Sequence, residues 1–150
     1  MENRFSITNS IPDSAIISSL FSLYQEVFGH VPAPDYFIRL EQYSNPLLIL
    51  CHDEQDNLIG FKIGYEYKKG VFYSWIGGVR PDKRYQGIAS ELMKIQHEWC
   101  TAHHYHTVRT ITMNQYRGML TLNLKYGFDI IGLWLAEGKP KIVMEKHLIT

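Results

Sequence analysis

Apolar positions recur along the chain at two spacings, and the switches between them predict the order of its elements. Residues 4–8 read as a short first strand. Over residues 10–28, Ile16, Ile17, Leu20, Phe21, Leu23, Tyr24 and Val27 fall at helical spacing behind the start signals Ser10, Pro12 and Asp13, and Gly29 closes the segment. Val31-Pro32-Ala33-Pro34 is a stiff connector, after which residues 35–43 read as a second short helix entered from Asp35. Strands follow at 47–52, 58–67 and 71–79, joined by turn residues at 53–57 and by Lys68-Lys69-Gly70, so three successive antiparallel strands are expected. Residues 87–102 form a helix with Ile88, Leu92, Ile95 and Trp99 on one side. A strand (108–113), a helix (119–126), a strand (128–136), a turn at Gly138-Lys139-Pro140 and a last strand (142–146) complete the order. No linker, repeat or low-complexity run interrupts it. The expected fold is α+β, a mixed, mostly antiparallel sheet of about six to seven strands flanked by helices, with residues 1–150 as one domain.

Composition narrows the partners. The 150 residues carry 15 Lys and Arg against 15 Asp and Glu, so no field of one sign holds a polyanion, and nucleic acid is not an expected partner. The start, Met1-Glu2-Asn3-Arg4-Phe5, lacks the apolar run of a signal peptide, and no stretch approaches a membrane span. Cys51 and Cys100 sit in apolar surroundings and read as buried free thiols, which suits a cytoplasmic setting.

The informative segment runs from Gly77 to Ala89, Gly-Gly-Val-Arg-Pro-Asp-Lys-Arg-Tyr-Gln-Gly-Ile-Ala. A strand enters a short basic loop, and the loop enters the first turn of a long helix. Gly87 and Ala89 leave the free N–H groups of that turn unshielded, which makes a site for phosphate, with Arg84 beside it. The same glycine also fits a loop in which it only relieves a tight turn. Gly77-Gly78 inside a strand predicts a bulge or a close backbone approach by a ligand. An extended ligand with amides and a pyrophosphate would account for both features.

Arg84-x-x-Gly87-x-Ala89, preceded by Val79-x-Pro81 and followed by Leu92-Met93, resembles the coenzyme A motif of the GCN5-related N-acetyltransferase (GNAT) superfamily. Thr112-x-Asn114, then Met119-Leu120-x-x-Asn123-x-x-x-Gly127-Phe128, resembles its later helix-to-strand motif. The resemblance implies acetyl-coenzyme A as co-substrate, with the backbone of Ile76, Gly77, Gly78 and Val79 pairing with pantetheine. It implies that the amides of Arg84, Tyr85, Gln86, Gly87, Ile88 and Ala89 cradle the pyrophosphate, and that Asn114 and Asn123 lie near the acyl end and the pantetheine arm. Many members carry a tyrosine acid where this chain has Asn123. An amide cannot supply a proton at neutral pH, but releasing a thiol of pKa ~8.5 as thiolate at pH 7 costs only roughly 2 kcal/mol. Tyr126 and Tyr116 are weak substitutes. For the base, Glu66 on the central strands and Glu26 on the first helix are the candidates, each also readable as a solvated carboxylate.

His103-His104-Tyr105-His106 fits a helix end whose dipole it complements better than a metal site, and no metal is expected. Tyr24, Phe28, Tyr36, Tyr43, Tyr65 and Trp75 are core by pattern, with a few lining an acceptor pocket. The expected activity is acetyl transfer to a primary amine, on a small molecule or a peptide, by direct attack in a ternary complex, in a monomer or homodimer. The alternative is a catalytically degenerate acyl-coenzyme A-binding module or sensor.

Overall fold

The computed structural model describes residues 2–149, so Met1 of the N-terminal stretch lies outside the described residues. Seven strands form one sheet: β1 (Arg4–Thr8), β2 (Leu47–His52), β3 (Leu58–Lys68), β4 (Val71–Val79), β5 (Thr107–Thr112), β6 (Asp129–Ala136) and β7 (Lys139–His147). Their order is β1-β2-β3-β4-β5-β7-β6, and among the described residues only the β4–β5 contact is parallel. Helices α1 (Ser14–Phe28), α2 (Ile88–Ala102) and α3 (Arg117–Lys125) cover the faces. The mixed, mostly antiparallel α+β sheet expected from the sequence is the one observed.

Period-two alternation sends the side chains of β2 and β3 to two separate cores. Leu48, Leu50, Phe61 and Ile63 pack with Leu20, Leu23 and Phe37 on the α1 side, while Leu47, Ile49 and Ile59 pack with Leu92, Met93 and Cys100 on the α2 side. Leu120 and Leu122 place α3 on the α2 side as well. Both cysteines are buried and free, and burial pushes the thiols of Cys51 and Cys100 up to about 11 and about 12.

Four local readings are corrected. The helix expected over residues 10–28 begins only at Ser14, capped by Asp13, one of its three start signals, whose carboxylate accepts from the Ile16 N–H at 3.0 Å. The short helix expected over residues 35–43 is shorter and of 3₁₀ type, Ile38–Gln42, and starts after Asp35. The β6–β7 turn is Glu137-Gly138, both at positive φ (55° and 74°), so Pro140 lies inside β7 opposite Leu135. The bulge expected at Gly77-Gly78 falls two residues earlier. Ile63 pairs Ile76 and Gly64 pairs Ser74, which leaves Trp75 as the extra residue.

β6, apolar after Asp129, is one edge of the sheet and leaves Ile130, Ile131, Leu133, Trp134 and Leu135 exposed. No helix among the described residues is long and apolar enough to cross a membrane.

Candidate functional site

The parallel pair β4–β5 begins at Val71 with Thr107 and stops at Ser74 with Thr110. β4 runs on to Val79 and β5 to Thr112, but neither remainder pairs with the other. The bulge at Trp75 sits where the strands part, and beyond it the β5-facing edge of residues 75–79 is open. An open strand edge is a template for any ligand that carries amides in extended form. Ile76, Gly77, Gly78 and Val79, expected to pair with a pantetheine arm, all lie on this edge.

Packing requires Gly78 and leaves little room at Gly77. A Cβ on Gly78 would meet Val27 Cγ1 of α1 at 2.8 Å, and one on Gly77 would meet the Phe61 carbonyl at 3.1 Å. Their smallness lets α1 and β3 approach β4 closely.

Past Val79 a 3₁₀ turn over Pro81–Lys83 leads into the loop before α2. Tyr85 and Gly87 both hold positive φ, 64° and 81°, and Gly87 ends the loop as the N-cap of α2 without a side-chain cap. None of the backbone N–H groups of residues 84–90 donates to a loop, turn or cap carbonyl. Nothing lies within 4 Å of where a Cβ on Gly87 would stand. A 15-residue helix thus presents uncapped donors and its positive end to open space, with the Arg84 guanidinium alongside, held by its Nε bond to the Val79 carbonyl at 3.2 Å. Tyr85 and Gln86 are exposed, Ile88 is buried under the helix and Ala89 is small. These residues fit a pyrophosphate.

On the α1 side aromatic rings frame the cleft. Tyr36 stacks on Trp75 at 4.6 Å, Tyr24 packs against Phe28 and Tyr36 at 4.7 and 5.2 Å, and Phe28 meets Tyr116 beyond β5 at 5.9 Å. Burial raises the Tyr24 and Tyr36 phenols above their ordinary value, so both stay neutral. His30, which sequence reasoning passed over, has its Nε2 3.3 Å from the Tyr24 hydroxyl.

The remaining expected residues fall in different places. Asn123 of α3 is 2 % exposed, its amide donating to Met144 Sδ at 3.7 Å on the α2 side. Asn114 lies exposed in the turn after β5. Glu26 shares a shallow depression with Arg80, Pro81 and Asp82 below the loop, where Arg80 pairs with Asp82 at 2.7 Å. Glu66 accepts from the Tyr105 hydroxyl at 2.8 Å, and Asn45 donates to that same oxygen at 2.7 Å, at the end of β3 away from the loop. The structure therefore does not bring Glu26 and Glu66 together. His103 bonds the Trp99 carbonyl at 2.8 Å and His106 the Thr107 hydroxyl at 2.8 Å, so these rings complete a helix end and a strand start.

One polar residue on the α2 side has no motif to announce it. Lys62 lies between Phe61 and Ile63, whose side chains belong to the α1-side core, so it points to the other face, opposite Gly77. It is 7 % exposed, and burial alone lowers its ammonium to about 8. The signal was present: a lysine at an inward position between the apolar residues Phe61 and Ile63.

The model of the acetyltransferase (GNAT) family matches residues 17–128. Among solved structures the fold is similar to the ribosomal-protein-S18-alanine N-acetyltransferase of Escherichia coli, at 14% identity and TM-score 0.80, covering 98% of this chain and 96% of that one. Ard1 from Thermoplasma volcanium superposes with TM-score 0.83 at 16% identity over 97% and 99% of the two chains. A phosphinothricin acetyltransferase from Sinorhizobium meliloti, solved in complex with AcCoA, gives 0.77 at 16% over 96% and 88%. No curated protein sequence matches the chain significantly.

Proposed function

The chain belongs to the acetyltransferase (GNAT) family, and from that premise we propose that it transfers an acetyl group from acetyl-coenzyme A to a primary amine by direct attack in a ternary complex. The observation that carries this reading is the continuity of the parted β4–β5 edge with the uncapped α2 N-terminus. One extended ligand can pair with residues 76–79 and rest its pyrophosphate on the amides of residues 84–89. Arg84 neutralises phosphate charge. Asn123 and Asn114 flank the acyl end and the arm. Residues 1–150 act as one N-acetyltransferase domain.

Direct attack is favoured because the two thiols are buried and held protonated, which leaves no cysteine to form an acyl intermediate. The amine enters from the α1 side, past Tyr24, Phe28, Tyr36 and Trp75. It must shed a proton, and of the two candidate carboxylates Glu26 is on that side, acting through water. Glu66 holds Tyr105 instead. A soluble small-molecule or peptide amine in the cytoplasm suits this mouth.

The test is thiol release from acetyl-coenzyme A with a broad panel of amines, alongside mass detection of the acetylated product. Stoichiometric thiol and amide with at least one amine is the expected result. Tight binding of acetyl-coenzyme A with no product from any amine would replace the reading with that of an acyl-coenzyme A-binding sensor.

A further inference from the structure

We propose that Lys62 is a catalytic residue of this transfer: its ammonium protonates the coenzyme A sulfur as the carbon–sulfur bond breaks. The proposal rests on the acetyl-transfer reading above and fills the role that Asn123 cannot.

The geometry begins at Gly77. This residue sits on the parted edge of β4 and pairs across to Lys62 of β3. Lys62 Cγ lies 3.4 Å from where a Cβ on Gly77 would stand. A side chain on residue 77 would wall β3 off from the cleft; glycine lets the lysine stem lie alongside the edge where the arm is placed. A lysine is long enough to reach past one strand, and this one runs on the α2 side, as Asn123 does.

The ammonium there has no counter-charge. Lys62 makes no hydrogen bond or ion pair among the described residues, although it is more than nine-tenths buried. The groups facing the same buried layer are also without an acid. From α2 come Gln96, whose two amide atoms are buried and unpartnered, and His97, held neutral at about 3 by burial and by the charges of Lys146 and Lys62. From β7 comes Lys146, 3.3 Å from His97 Nδ1, from α3 the Asn123 amide, and from β2 the apolar Ile49 opposite Lys62. Lys62 Nζ is not among the enclosed unpartnered atoms, so a mostly buried stem carries an ammonium that keeps an opening and has no acid beside it, an arrangement that suits a site where an anion forms. The anion that acetyl transfer creates within the cleft is the thiolate.

The step balances. The amine nitrogen attacks the thioester carbon and the carbon–nitrogen bond forms, its surplus proton leaving toward the acceptor side. The carbon–sulfur bond then breaks with its electron pair on sulfur, and the proton moves from Lys62 Nζ to sulfur. Neutral Lys62 regains a proton from water as products depart. A donor near 8 is matched to a thiol at ~8.5.

The experiment uses coenzyme A itself, Lys62→Met and Lys62→Arg. In the wild type the ultraviolet thiolate absorbance of bound coenzyme A should develop at lower pH than for free coenzyme A, and in Lys62→Met it should not. Turnover of Lys62→Met should fall roughly thirtyfold at pH 7, with the defect closing as pH passes the thiol pKa of ~8.5. Lys62→Arg should keep the early thiolate yet stay slow, because a guanidinium does not give up a proton. Identical thiolate titrations in wild type and Lys62→Met, with coenzyme A bound to both, would overturn the proposal alone. So would a defect independent of pH, or full turnover by Lys62→Arg. A wild type that does not bind coenzyme A would overturn the underlying reading and this proposal with it.

Discussion

Replacing Lys62 by methionine should make the protein more stable at neutral pH, and the gain should disappear in alkali. Methionine keeps the unbranched stem and most of the volume and removes the buried amine. The native ammonium has been lowered from 10.5 to about 8 by burial, so the native state holds its proton less tightly than the unfolded chain does. Below pH 8 both states are protonated and the full cost of burying the charge is present. Between pH 8 and 10.5 the unfolded chain keeps a proton that the native state has released, so stability rises with pH. Above 10.5 both are neutral and the cost is gone. At ~1.36 kcal/mol per pH unit the displacement from 10.5 to about 8 is worth about 3 kcal/mol. The assay is urea unfolding of both proteins from pH 7 to 10, read as their difference. That difference cancels the opposite trend of Tyr36, Tyr65, Cys51 and Cys100, whose raised acid groups make both proteins lose stability as pH climbs. A gain near 3 kcal/mol at pH 7 that shrinks toward pH 10 is expected. A Lys62→Met protein less stable than wild type at pH 7, or a difference flat in pH, would refute the reasoning. A stabilising substitution that slows turnover is the signature of a residue retained for chemistry.

Gly78→Ala should cost about 1–3 kcal/mol in urea unfolding, because its Cβ would stand 2.8 Å from Val27 Cγ1; Val27→Ala in the same chain should recover most of the loss. Arg84→Ala should weaken coenzyme A and dephospho-coenzyme A alike in titration calorimetry, more at low salt; a loss confined to coenzyme A would put Arg84 on the ribose phosphate. Asn123→Ala should slow turnover roughly five- to tenfold, about 1 kcal/mol of hydrogen bonding, across pH 6 to 9. A loss of several hundredfold there, or disappearance of an alkaline limb, would give Asn123 a proton-transfer role.

The elements were legible wherever period and punctuation agreed. β1, β2 and β4 fall where alternation and turn residues placed them, and Gly29 and Gly87 bracket helices as expected. The short helix after Pro34 was legible but not its type or start, because so few residues do not tell an α-turn from a 3₁₀ turn. The Glu137-Gly138 turn was misplaced because Pro140 reads as a breaker, whereas it occupies β7 opposite the edge strand. β6 gave a strand but not its exposure, since the apolar run from Ile130 to Ala136 does not tell an edge from a centre. For the site, the phosphate loop was readable because its function lies in backbone amides that a local motif sets. Glycines 77 and 78 were read toward a ligand, and their smallness is explained by Val27 and Phe61, contacts no local pattern contains. Glu26 and Glu66 were chosen by residue type and element, and the fold set them at separate places. Lys62 carried a signal, a charge at an inward strand position, but its meaning depends on Gly77 across the sheet.

The claim on which the rest depends is that one extended ligand lies along β4 with its pyrophosphate on the amides before α2. The most direct measurement is the thermal stabilisation produced by saturating coenzyme A in the wild type and in Gly87→Val. The valine lowers the starting melting temperature, because a β-branched residue at φ 81° is strained by about 1–3 kcal/mol, so the ligand-induced increment is the quantity compared. Its side chain would occupy the open space into which the loop amides point. The account predicts a clear upward shift for the wild type and none for a still-folded Gly87→Val. Equal shifts in the two proteins would contradict it.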